Sequence, residues 1–197
     1  FGVKPTTMNG RSSPGLEVVL GGGRSKFRRV IDPDPEYPNE KGGRNDRDLT
    51  AVWAVRGGAY VWNAEQFRTI DPAKTGPVLG LFEPSHMQYE LDRAKDPAGE
   101  PSLTEMTEKA IRILERGPNG YFLMVEGGRM DHAHHFGNAT RALRDTVELA
   151  RAVERAAAIA TDDTLVIVTA DHSHTLYIAG YPVRGNPILG LVVTNDE

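Results

Sequence analysis

The hydrophobic and polar positions along the chain alternate between two periods. Short apolar runs at 16–20, 59–62, 78–82, 121–125 and 165–170 have the length of buried strands. Between them lie helical patterns. Asp48 or Asp46 caps a short helix to Val55, and Asn63 caps another over 64–69. Ser102 with Glu105 three residues on is a capping box, and Met106, Ala110, Ile113 and Leu114 follow on one face. A long helix is predicted over 138–160, with Ala139, Leu143, Val147, Ala150, Val153 and Ala157 as its apolar stripe. Strand 121–125, this helix and strand 165–170 read as a βαβ unit with a parallel, right-handed crossover. The expected fold is therefore α/β, a central, mostly parallel sheet flanked by helices.

Other stretches break the pattern. Residues 1–15 are rich in Gly, Pro, Ser and Thr and read as an irregular N-terminal segment. The domain would then run over 16–197, with 24–101 as a loop-rich decorating subdomain and 102–197 as the βαβ core. The triplet 21–23 reads as a tight turn after a strand, since it lacks the spacing and lysine of a nucleotide loop. The run 32–38, DPDPEYP, excludes helix and central strand. Its three acids could meet a hard cation, although composition alone favours a solvated loop.

Composition narrows the chemistry. With 197 residues and a net charge of -4, the chain has the length for a core and no bulk pull toward nucleic acid. It has no cysteine, which removes disulfides, thiolate catalysis and cysteine-ligated zinc. No run is long enough to span a membrane, and no targeting signal is present. Both ends read as cuts through a longer protein.

The densest chemistry lies where two strand candidates end. After 121–125 the chain reads E-G-G-R-M-D-H-A-H-H, and after 165–170 it reads D-H-S-H. In open α/β sheets, ligands bind beyond the carboxyl ends of the strands, so these clusters should form two walls of one metal site. Asp131 and His135 are four residues apart and share a face if the chain turns helical there. Asp171 and His172 are adjacent and can share one ion only in a turn past the strand. Glu126 is a pure oxygen donor suited to a hard ion such as magnesium. Two neighbouring ions suit phosphate-ester chemistry. His132, His134 and His174 are expected to support the ligands, and His86 to be a loop residue.

These residues carry a resemblance. V-E-G-G-R-M-D-H-A-H-H with V-T-A-D-H-S-H is similar to the alkaline phosphatase family. L-G-G-G-R, D-P-E-Y-P, Y-V-W-N, G-L-F-E-P, M-Q-Y-E-L, P-S-L-T-E-M-T and G-Y-P-V-R-G-N resemble its animal-type branch. The resemblance implies a homodimeric, extracellular, periplasmic or cell-surface enzyme that hydrolyses phosphate monoesters through a phosphoserine. It implies zinc on Asp131 and His135, a second zinc on Asp171 and His172, and magnesium on Glu126. It also implies a calcium site from Glu36, the carbonyl of Phe82, Glu83 and Glu100, which reverses the reading of the acidic loop. The family's nucleophile stands in an Asp-Ser-Ala segment, and these 197 residues contain none. The other upstream ligands, the phosphate-clamping arginine and the last zinc histidine have no counterpart either. Such a chain holds part of a site and is expected to be inactive alone. The alternative is a catalytically dead metal- or phosphate-binding module of the same fold.

Overall fold

The computed structural model describes residues 15–174 and 181–189. The irregular segment read over 1–15 lies, up to residue 14, outside the described residues. Among the described residues, three strands, β1 (Val18–Gly21), β2 (Ala59–Val61) and β3 (Val78–Leu81), form an all-parallel sheet in the order β1-β3-β2. Val78 pairs with both Val18 and Ala59, so β3 is central. It is buried at every position, as a strand covered on both faces must be.

The helices fall where local chemistry sets them. Asp48 accepts the amides of Thr50 and Ala51 and starts α1 (Leu49–Val55). Asn63 accepts from Gln66 N and starts α2 (Ala64–Thr69). The capping box forms as expected: Ser102 accepts from Glu105 N, and the Glu105 carboxylate accepts from Ser102 N, opening α3 (Leu103–Leu114). The main core joins α2, the sheet and α3 through Val61, Phe67, Ile70, Val78, Phe82, Met106 and Ile113. Phe67 meets Phe82 edge-on at 5.5 Å. Lys109 ties α3 to α2 by donating to the carbonyls of Phe67 and Ile70 at the end of α2.

The segment 129–135 does turn helical, as α4 (Arg129–His135), and α5 (Ala139–Ile159) follows from its Asn138 cap. α5 packs on α3, where Arg155 holds Glu108 and Glu148 accepts from Thr104 N. Its buried positions are Ala142, Glu148 and Ala152. The predicted stripe through Leu143 and Val147 is largely exposed, because α3 and α4 contact the neighbouring face.

One part of the expectation is corrected. Residues 121–125 and 165–170 are not strands, and the βαβ unit is not closed among the described residues. A strand exists through the ladder bonds of its backbone, and here neither segment has a described neighbour to supply them. Their apolar side chains face outward: Phe122 is 90% exposed, Leu165 82% and Ile167 76%. No described helix is long and apolar enough to cross a membrane.

Candidate metal centre

Among the described residues, two clusters of ligand-type side chains form. The first hangs from α4. The four-residue spacing puts Asp131 and His135 on one face, with His135 Nε2 3.4 Å from Asp131 Oδ2. The chain after 165–170 bends at 171–172 and comes back to the same carboxylate. His172 Nε2 and His174 Nε2 each lie 3.7 Å from Asp131 Oδ1. His172 Nε2 is also 3.6 Å from Asp171 Oδ2, so the two adjacent residues do face one point. The walls read from the sequence thus meet at Asp131.

Hydrogen bonds orient these rings. His172 Nδ1 lies 2.9 Å from Ser173 O and His134 Nδ1 2.8 Å from Met130 O. A carbonyl can only accept, so each Nδ1 donates and Nε2 is left as the lone-pair nitrogen. The bond to the Ser173 carbonyl and the nearby Asp171 raise the pKa of His172. Burial, His86 and Arg129 lower that of His132, whose Nδ1 accepts from Arg129. Asp131 Oδ1 is buried and has no hydrogen-bond donor. Asp131, His135 and His174 offer ligand atoms within 4.8 Å of one another. His174 was expected only as support and stands inside the ligand group, stacked on His134 and edge-on to His135. Glu126 is exposed, with its carboxylate over Gly128, and lies outside this group.

The second cluster lies beyond the end of β3. Glu36, Glu83 and Asp96 bring carboxylate oxygens within 4.8 Å of one another. Arg24, wholly buried, makes this possible. Its guanidinium donates to both oxygens of Asp34, to Glu36 Oε2 and to the carbonyls of Leu81 and Trp62. The acidic loop is thereby fastened to the ends of β2 and β3. The glycine triplet serves the same end. Gly23 N donates to Ser85 O, and a Cβ on Gly22 would lie 2.2 Å from that oxygen. A side chain there would push the 83–85 segment away. The triplet, read from the sequence as a tight turn, is also a place of close backbone approach.

Glu100, the acid that the family resemblance implied, is adjacent but outside the three-residue group. Its Oε1 accepts from Gln88 N, and Gln88 Nε2 donates to Glu83 Oε1. Burial, then neighbouring Glu83, pushes Glu100 up to about 8. Burial outweighs the Gln88 bond and, with Glu36 and Asp96, pushes Glu83 to about 7. Glu36 Oε1 and both oxygens of Asp96 are buried without a donor. Unsatisfied, mutually repelling carboxylates at one point are what a hard cation resolves. Asp96 is the residue that sequence spacing did not single out. Its signal was its place in the loop between Glu83 and Glu100.

The sequence profile of the alkaline phosphatase family matches residues 6–197. The alkaline phosphatase of Gadus morhua is 46% identical over 187 residues, covering 90% of this chain and 39% of that protein. The tissue-nonspecific isozyme of Homo sapiens is 42% identical over 186 residues, covering 89% of this chain and 35% of that protein. Among solved structures, Thermus thermophilus alkaline phosphatase is similar with a TM-score of 0.62 at 33% identity, covering 73% of this chain and 28% of that one. The chain spans less than two fifths of the length of the curated relatives it matches.

Proposed function

Because the chain belongs to the alkaline phosphatase family, we propose that it supplies one wall of the metal centre of a phosphate-monoester hydrolase. The observation that carries this reading is the convergence of His135, His172 and His174 on Asp131, whose Oδ1 is buried without a donor. Mixed imidazole and carboxylate donors with open positions fit zinc. Asp131 and His135 would hold one zinc, Asp171 and His172 a second, and Glu126 magnesium. Such ions supply a Lewis acid to the phosphoryl oxygens and lower the pKa of the attacking oxygen. The chain's own part is to orient the donors: the Ser173 carbonyl fixes the His172 ring, and α4 holds Asp131 and His135 on one face. Glu36, Glu83 and Asp96 would hold calcium, with Glu100 and the Phe82 carbonyl beside them. The orphaned buried oxygens of Glu36 and Asp96 fit that ion. Family membership further supports a phosphoserine route, a homodimer and a secreted or cell-surface setting for the whole protein.

A second reading is a metal-binding module without turnover, favoured by the lack of an Asp-Ser-Ala segment in these residues. Metal analysis of the purified chain, run beside hydrolysis of an aryl phosphate, separates the two. Bound zinc with turnover that disappears in Asp131→Asn and His172→Ala supports the hydrolase. Bound zinc with no turnover, alone or with the other segments of a full-length relative added, supports the module. If no metal is bound and both variants behave as the parent, both readings fail.

A further inference from the structure

We propose that Tyr89 is a positioning residue for the metal ligands of α4, acting through Arg129 and Ala133. The inference rests on the reading of Asp131 and His135 as ligands. Seven residues make α4 about two turns long, and its Gly128 cap offers no side-chain bond. A helix that short has no stable orientation of its own, so its rotation must be set by what it packs against. A change of one residue in the buried position turns the ligand face by about 100°.

What α4 packs against is the 83–100 loop and α5. Tyr89 is buried, and Arg129 of α4 and Arg141 of α5 both place their guanidiniums at its ring, 3.8 and 4.5 Å from the centroid. The ring draws two cations to one point through its negative face. Asp92 neutralises Arg141 at 2.8 Å, and Arg129 spends a donor on His132. Tyr89 also forms a buried cluster with Ala133 and Ala142. Ala133 stands midway between Asp131 and His135 on the chain, so fixing it inward fixes both ligands outward. His86 adds a ring contact to His132 at 4.4 Å. The loop is itself anchored next door, where Gln88 bonds to Glu83 and Glu100.

The test is a cobalt(II) titration of the full chain, followed by visible absorption, with melting temperature measured in parallel. Tyr89→Leu keeps apolar volume and removes the ring. It should weaken cobalt binding about 10-fold or more, the range typical of groups that orient ligands, and alter the absorption band. Arg129→Gln, which leaves the loop core intact, should weaken it in the same sense. Tyr89→Phe keeps the ring face and should stay within about twofold. Ile113→Ala, in the other core, should lower the melting temperature and leave the cobalt curve unmoved. A Tyr89→Leu variant that melts lower yet binds cobalt like the parent overturns the proposal. An Asp131→Asn variant with unchanged binding overturns the ligand reading itself, and the proposal with it.

Discussion

The sheet half of the molecule and the 121–174 half use similar apolar runs to opposite effect. VLGL at 78–81 is the buried centre of a parallel sheet, while YFLMV at 121–125 and LVIV at 165–168 lie exposed. The local pattern is no weaker in the second half. What differs is the neighbour. β3 has β1 on one side and β2 on the other, and its residues exchange ladder bonds along both. A strand is a relation between segments, whereas a helix satisfies its backbone within itself. The clusters follow the same division. The acidic cluster is buried and built around Arg24, and the imidazole cluster stands half open on a short helix.

Core substitutions break this comparison most sharply. Phe82→Ala removes a wholly buried ring from the α2–sheet–α3 core and should cost about 3–5 kcal/mol. Phe122→Ala, at an equally aromatic position in the exposed half, should change stability by less than about 0.5 kcal/mol. Equal losses in urea midpoint would mean that 121–125 is packed after all. Arg24→Met should match the larger effect, at about 3–5 kcal/mol, since it strands Asp34 and Glu36 as buried charges. A melting temperature within a degree or two of the parent would show that the acidic cluster does not depend on it.

These contrasts also mark what was legible in the sequence. The caps of α2 and α3 were, and that of α1 as one of two aspartates, because Asn63, Ser102 and Asp48 act within three residues of themselves. The meeting of Asp131 with His172 was legible from two ligand clusters placed at strand-like ends. The pairing of 121–125 and 165–170 was not, since no residue within a run states whether a neighbour comes alongside. The acid that completes the Glu36–Glu83 group was likewise hidden. Asp96 and Glu100 lie four residues apart in one loop, and only the fold decides that Gln88 engages Glu100 while Asp96 turns to the cluster. The buried stripe of α5 was misjudged for a related reason. Burying Glu148 is counter to its polarity, and it becomes favourable through the Thr104 amide that it accepts.

The acidic cluster should also set the pH response. Glu83 and Glu100 have folded values near 7 and 8, above the ordinary 4.5, and Glu36 is raised in the same sense. The fold therefore favours their protonated forms. Between about pH 4.5 and 8 the unfolded chain holds fewer protons than the folded one, so stability falls as pH rises. In a chelator, the urea midpoint should drop from pH 5 to pH 8, by up to about 1.4 kcal/mol per pH unit for each group at full slope. Asp145, raised to about 6, adds to the slope only in its lower part. Glu100→Gln should flatten the upper part. With calcium added, binding to the deprotonated cluster should oppose the drop. A profile that rises through this window in chelator would contradict the burial of these carboxyls.

Capping gives the smallest and most discriminating comparison. Ser102 lies buried at the start of α3, where its side chain and Glu105 satisfy each other's amides. Asn138 caps α5 with one side-chain bond, to Arg141 N. Ser102→Ala should therefore cost about 1–2 kcal/mol, and Asn138→Ala about 0.5–1 kcal/mol. The ordering matters more than either value. Local capping chemistry alone would make the two nearly equal, with Asn a slightly better cap than Ser. A larger loss at Ser102 requires that burial magnifies the unsatisfied Glu105 amide, which is the difference between a helix locked into a paired sheet and one that borders an unpaired half.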